Sequence, residues 1–306
     1  MTTALITHPA CLNHVNPPGH PESVARLERV NEALSDLDLL RVEAPAGRDS
    51  HILRAHPLAY LERMKEAPAG PLDPDTHKSP GTLAAAYRGV GAVVKAVDMV
   101  MEGAADNVFC AIRPPGHHAE RTKPMGFCLF GNVAIAAKHA LEMHGLSRVA
   151  IMDFDVHHGN GTQDLLWNEE RTLFVSTHQM PLYPGTGAAH ERGAHDNVLN
   201  VPLDSNGSGA DMRAAMERQV LPAIDAFEPE LLLVSAGFDA HHADPLANLH
   251  WREDDFAWIT EQLCDLAAKH CRGRLVSVLE GGYDLDALAA SAKAHVKVLM
   301  ERKHER

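Results

Sequence analysis

Short runs that are apolar along nearly their whole length, alternating with amphipathic segments, constrain this chain more than any other feature. The runs fall at 107–112, 149–153, 172–176, 231–236 and 275–279, with a shorter apolar start at 4–7. Between them lie segments with helical spacing. Val24, Leu27, Val30 and Leu34 form one stripe within a helix expected over 21–34. Leu83, Tyr87, Val90, Val94, Val97 and Met101 form another, opened by Ser79 as N-cap and Pro80 at the first helical position. Further helices are expected over 131–144, 162–167, 210–226 and 252–271, and from about 286 onward. Strands buried on both faces belong to a parallel sheet covered by helices on each side. The expected fold class is therefore α/β, a three-layer α/β/α arrangement around a central parallel sheet. No linker, repeat or low-complexity tract interrupts the chain, so residues 1–306 are read as a single domain.

Composition narrows the function classes. Hydrophobic content of 45% with 23% charge suffices for a sizeable core, and no stretch approaches the roughly 18 apolar residues of a membrane span. Twenty-eight basic against 41 acidic side chains give a formal charge of −13, which argues against a nucleic-acid partner and suits a cationic substrate. The N-terminus has no basic region followed by an apolar signal core, so a cytoplasmic location is expected. Five cysteines without a Cys-x-x-Cys pair indicate reduced thiols rather than a disulfide framework. A homo-oligomer is left open.

The polar motifs are not scattered. Arg113-Pro-Pro-Gly-His-His118 follows the run at 107–112, and Asp153-Phe-Asp-Val-His-His-Gly-Asn-Gly161 follows that at 149–153. Ser176-Thr-His178 and Tyr183-Pro-Gly-Thr-Gly187 follow the run at 172–176; Gly237-Phe-Asp239 and Glu280-Gly-Gly-Tyr283 follow the last two. Ligands of parallel α/β sheets bind at the carboxyl ends of the strands, which is where the motifs after all five runs fall.

Alternate residues of an extended segment share a face, so Asp153, Asp155 and His157 point the same way. Asp155 and His157 can reach one divalent cation, with Asp239 as a third ligand, the three-ligand open pattern of a catalytic zinc site. Taken singly, Asp-x-His reads better as a solvated acidic turn, and Asp239 alone reads realistically as a helix cap. His117 and His118 suit general acid/base work, each needing an acceptor on its other ring nitrogen. Asp153 and Asn160 are available for this, and one charged with one neutral acceptor would push the two imidazoles apart. Tyr283, after two glycines, is placed to donate its hydroxyl to an oxyanion, with packing as the alternative. Phe127 and Tyr183 are read either as the walls of a narrow entrance or as core.

The segments RPPGHH, MGFCLFGNVAIAA, DFDVHHGNGTQ, YPGTG, SAGFDAHHADPL and EGGY resemble those of the histone deacetylase family, in particular its class II and bacterial amidohydrolase members. The resemblance runs from His-Pro-Glu at 20–22 to the C-terminal helix. It implies the arginase-deacetylase fold and metal-dependent hydrolysis of an N-acetylated amine. It further implies Zn2+ on Asp155, His157 and Asp239, with Fe2+ as the alternative, and a structural K+ on Asp153, Asp155, His157 and Ser176. His118 would be the general base and then the acid, His117 with Asp153 its electrostatic aid, and Tyr283 the oxyanion donor. Gly126, Phe127, Tyr183 and Leu246 would line the substrate channel. Asp75, in a loop that also carries Asp73, would grip the substrate outside it, a solvated loop acid being the alternative. Tyr183 stands where many members have Phe, and Gly131 replaces a common Asn.

The substrate then divides between acetyl-lysine of a protein or peptide and a small acetylated polyamine or diamine. Leu246 argues mildly against the specialised polyamine form, some members of which carry an acid there. A manganese ureohydrolase would need an acid where His241 stands, and a non-catalytic acyl-amine binder would have lost a ligand or Tyr283. Neither departure is present.

Overall fold

The computed structural model describes residues 2–301; Met1 and residues 302–306, the ends of the expected 1–306 domain, lie outside the described residues. In chain order the elements are β1 (Thr3–Thr7), α1 (Val24–Ala33), β2 (Leu40–Glu43), α2 (Asp49–Ile52), α3 (Leu58–Glu66), β3 (Gly70–Pro71), β4 (His77–Lys78) and α4 (Thr82–Glu102). They continue with β5 (Asn107–Cys110), α5 (Asn132–Met143), β6 (Val149–Asp153), α6 (Asn160–Leu166), β7 (Thr172–Gln179) and β8 (Val198–Leu203). The last are α7 (Gly209–Ala215), α8 (Leu221–Phe227), β9 (Leu231–Ala236), α9 (Glu253–His270), β10 (Leu275–Leu279) and α10 (Leu285–Glu301).

Eight strands form one sheet in the order β2-β1-β5-β10-β9-β6-β7-β8, with every pairing parallel. Strands β5, β6, β7, β9 and β10 are buried at every residue, as their apolar runs require. Helices α1, α10 and α9 pack side by side, and α4 packs on α5, giving a helical layer on each face of the sheet. The chain leaves β5 and enters β6 three positions along the sheet; β9 and β10 return later to fill the two places between them. That crossing point collects the loops after β5, β6, β9 and β10 around one crevice.

Differences from the expectation have local causes. β2 and β8 are the two edges of the sheet, and neither carries a run apolar on both faces. β2 (Leu-Arg-Val-Glu) is largely exposed and charged, and β8 contains Pro202, which an edge strand tolerates because its N–H is not needed for pairing. The helix expected over 210–226 is two helices joined by a π turn at Met216–Val220, with Pro222 in the first turn of the second. The helix expected from Ser79-Pro80 starts at Thr82, whose Oγ1 accepts from the Ser79 amide at 2.7 Å.

One buried ion cluster ties the N-terminal segment to the crevice. Glu22, Arg26 and Arg113 are all fully buried. Glu22 accepts from Arg26 Nη1 at 3.0 Å and from Arg113 Nη2 at 2.7 Å, with a further contact from Arg113 Nε. Arg26 continues to the carbonyls of Gly282 (2.6 Å) and Glu280 (2.5 Å), bracing the loop after β10. Burial alone would raise the Glu22 carboxyl, but Arg113, His14 and Arg26 outweigh it and hold it well below the usual range. A depressed carboxyl stabilises the fold above its unfolded value of about 4.3, and that contribution is lost as pH falls through the folded value. Glu22→Gln should therefore cost about 3–5 kcal/mol at neutral pH in denaturant unfolding, because two guanidinium groups lose their counter-charge. The gap to wild type should narrow as pH falls below about 4.3. A pH-independent cost under about 1 kcal/mol would contradict this assignment.

Candidate active site

Strand β6 ends at Asp153, and the chain then passes through Asp155 and His157 before α6 begins at Asn160. Asp153, Asp155 and Asp239 are fully buried, and His157 is 7% exposed. His157 Nδ1 lies 3.2 Å from Asp155 Oδ1 and 3.0 Å from Asp239 Oδ2. One ligand atom from each of the three residues lies within 4.8 Å of the other two. Tetrahedral ligands held at ~2.0–2.1 Å from a metal stand about 3.3 Å apart, close to the spacing of this set. Backbone amides hold the carboxylates from behind, Gly281 N on Asp155 Oδ2 at 2.8 Å and Val156 N on Asp239 Oδ1 at 2.8 Å. At Gly281 a Cβ would sit 2.2 Å from Asp239 Oδ2, so only glycine lets the loop approach so closely.

The cluster is short of positive charge. Among the described residues no Lys or Arg pairs with Asp153, Asp155 or Asp239; their charged partners are His117 and His157. Burial and the neighbouring Asp155 push Asp239 up to about 7. Burial opposes protonation of His157, yet the Asp155 and Asp239 carboxylates raise it to about 10. Two carboxylates and one imidazole are a normal donor set for a divalent metal, so the residues fit one.

The two adjacent histidines are held differently. His117 Nδ1 donates to Asp153 Oδ2 at 3.0 Å, and His118 Nδ1 lies 2.7 Å from Asn160 Oδ1. Asn160 Nδ2 donates to Glu120 Oε1 at 2.8 Å, which turns the amide oxygen toward His118. An amide oxygen only accepts, so the His118 proton sits on Nδ1 and Nε2 keeps its lone pair. Burial, aided by His117 and His157, holds His118 well below the ordinary imidazole value. Burial would also lower His117, but Asp155 and Asp153 outweigh it and raise this ring well above that value. Adjacent imidazoles, with ring centroids 3.9 Å apart, are thus pushed in opposite directions.

The other expected residues surround this pair. Tyr183 stands edge-on to His118 with centroids 5.2 Å apart, and Phe127 lies 5.8 Å from Tyr283. A Cβ at Gly126 would come 2.3 Å from His118 Cδ2, so the wall packs directly on that ring. Asp75 accepts from the Gly126 amide at 3.1 Å, and Thr76 Oγ1 from the Phe127 amide at 3.0 Å, so this loop holds the wall in place. Half-buried Tyr283 lies under the Arg26 guanidinium at 4.9 Å. Burial and nearby Asp239 and Asp155 keep its hydroxyl protonated against the pull of Arg26. Asp244 accepts from the amides of both Leu246 (2.9 Å) and Tyr283 (2.7 Å), linking the two loops. Ser176 sits opposite Asp153 in the β6–β7 register, with its hydroxyl 2.9 Å from His178 Nδ1.

Sequence reasoning missed Glu280, Glu120 and Asp244. Glu280 is fully buried and accepts from the amides of Gly116 (2.7 Å) and His117 (3.2 Å), fixing the loop that carries both histidines. Its position at the head of Glu-Gly-Gly-Tyr was the available signal, an acid directly after a buried strand.

The sequence profile of the histone deacetylase domain matches residues 20–299. An uncharacterized protein of Synechocystis is 44% identical, over 97% of this chain and 99% of its own length. The histone deacetylase-like amidohydrolase of Pseudomonas aeruginosa is 42% identical, over 88% of this chain and 74% of its own. The crystal structure of the HDA15 HD domain superposes with a TM-score of 0.93 at 32% identity, covering 99% of this chain and 89% of that one.

Proposed function

The chain belongs to the histone deacetylase family, and we propose that it is a zinc-dependent deacetylase hydrolysing the amide of an N-acetylated primary amine. The observation that carries this reading is the pairing of His117 Nδ1 with the Asp153 carboxylate and of His118 Nδ1 with the Asn160 amide oxygen, beside the Asp155/His157/Asp239 donor set. Those three residues would hold Zn2+, or Fe2+ in its place, which when bound lowers the pKa of a water and polarises the acetyl carbonyl.

The remaining chemistry belongs to the chain. His118 Nε2 takes a proton from the attacking water and returns it to the departing amine. His117, kept cationic by Asp153, stabilises negative charge as it develops on the carbonyl oxygen. The Tyr283 hydroxyl donates to that same oxygen. Phe127, Tyr183 and Leu246 enclose the apolar stem of the amine, with Gly126 leaving room for the His118 ring. Asp75 receives a polar group of the substrate at the rim. We also assign a structural K+ to Asp153, Ser176 and the backbone of Asp155 and His157.

Acetyl-lysine in a peptide is the favoured substrate. Leu246 places an apolar side chain where recognition of a second ammonium would need an acid. A specialised acetylpolyamine or acetylcadaverine amidohydrolase is the second reading, favoured by the excess of acidic side chains. A panel of acetyl-lysine peptides, acetylputrescine, acetylcadaverine and acetylspermidine on zinc-loaded protein separates them. A peptide kcat/KM at least about tenfold above every small amine is expected, a gap of 1.4 kcal/mol. The reverse ratio supports the second reading, and no hydrolysis of any member overturns both. Asn160→Asp puts a carboxylate in place of a neutral acceptor and should raise His118. His118 acts unprotonated, so the acid limb of kcat/KM should move to higher pH. An unmoved limb would remove His118 from the role of base.

A further inference from the structure

A second set of metal-ligand side chains lies far from the crevice. Asp98 is on the last turns of α4, His139 on the last turns of α5, and His144 caps the end of α5. These two helix ends lead into β5 and β6, so they stand at the amino edge of the sheet, opposite the edge that carries the active site.

The geometry at this point is convergent. His139 Nε2 and His144 Nε2 lie 2.7 and 2.8 Å from the same atom, Asp98 Oδ1. The two rings are nearly perpendicular, 76° apart with centroids at 5.5 Å, so they approach that oxygen from different directions. The three ligand atoms lie within 4.8 Å of one another, as in the active-site set. A hydrogen-bonded link between two helices needs one histidine, whereas this arrangement aims two at one oxygen and leaves Asp98 Oδ2 without a protein partner among the described residues. Side-chain exposures of 31% for Asp98 and 19% for His144 leave an open side where waters complete a coordination sphere. His139 Nδ1 is buried and makes no hydrogen bond; Nε2 donates to Asp98 here, and on a cation the ring proton would move to this unpartnered nitrogen. The missing orienting bond places the affinity below that of the active-site cluster. Arg54, paired with Glu142 at 3.0 Å, is the nearby cation working against the site.

We propose that Asp98, His139 and His144 bind a second divalent ion of the borderline class, Zn2+ or Ni2+, which clamps α4 to α5. The site is distinct from the hydrolytic centre and takes no part in its chemistry.

Equilibrium dialysis against rising free Zn2+, with metal counted per chain, tests this on wild type, His144→Gln, Asp98→Asn and Asp239→Ala. Wild type should take up two ions, the second at higher free Zn2+. His144→Gln and Asp98→Asn should lose the weaker ion, or bind it at least tenfold more weakly, while His144→Gln keeps wild-type hydrolysis. Asp239→Ala should keep the weaker ion and lose the tighter one. The midpoint of thermal unfolding of the zinc-loaded protein should rise with added Zn2+ in wild type and not in His144→Gln, a readout that survives if one variant folds poorly. Equal stoichiometry and equal affinity in wild type and both α4–α5 variants would overturn the proposal. A single wild-type ion that these variants lose would support this site and count against the active-site assignment instead.

Discussion

Buried negative charge at the carboxyl ends of β6, β9 and β10 is the constraint on which the rest of the structure turns. Asp153, Asp155, Asp239 and Glu280 are all fully withdrawn from water in one crevice. Desolvating a carboxylate costs several kcal/mol even after relaxation, and no arginine or lysine among the described residues pairs with these four. Backbone amides of Gly281, Val156, Gly116 and His117 offset part of that cost, which is why the loops here are glycine-rich and close-fitting. The remainder falls to His117 and His157, and the donor set of Asp155, His157 and Asp239 fits a divalent cation.

The same charge distribution separates the roles of two adjacent histidines. His117 lies against Asp153 and near Asp155, and His118 against an amide oxygen oriented by Glu120. A one-residue step along the chain therefore moves from a strongly anionic to a neutral environment. The rigidity this requires comes from outside the crevice. Glu280 fixes the backbone of the histidine loop, and Glu22 with Arg26 and Arg113 ties that loop to the N-terminal segment and to the loop before Tyr283.

Much of this was legible in the sequence, and the remainder was hidden for physical reasons. Strands β6, β9 and β10 announced themselves because burial on both faces demands continuous apolar runs, and they fell at the expected residues. β2 and β8 did not, because an edge strand is half-exposed and tolerates Arg41, Glu43 and Pro202. Within the site, Asp155, His157, Asp239 and both histidine partners followed from spacing, since each lies within a few residues of a strand end. Glu120, Asp244 and the Glu22 ion cluster act through partners 40, 39 and 91 residues away, and no chemical need of the site points to them, whereas each histidine ring needs an acceptor and so pointed to Asp153 and Asn160. The Asp98–His139–His144 set was invisible as well, because its members meet only when α4 packs on α5.

The central claim is that the buried acids of the crevice demand one divalent ion and that hydrolysis depends on it. Its most direct test is a titration of metal-stripped protein with Zn2+ while release of acetate from an acetyl-lysine peptide is followed. The account predicts negligible hydrolysis at the start, a linear rise to a plateau at one equivalent, and no further gain as more ion is added. Full hydrolysis by the stripped protein, or a plateau reached equally by Asp239→Ala, would contradict it.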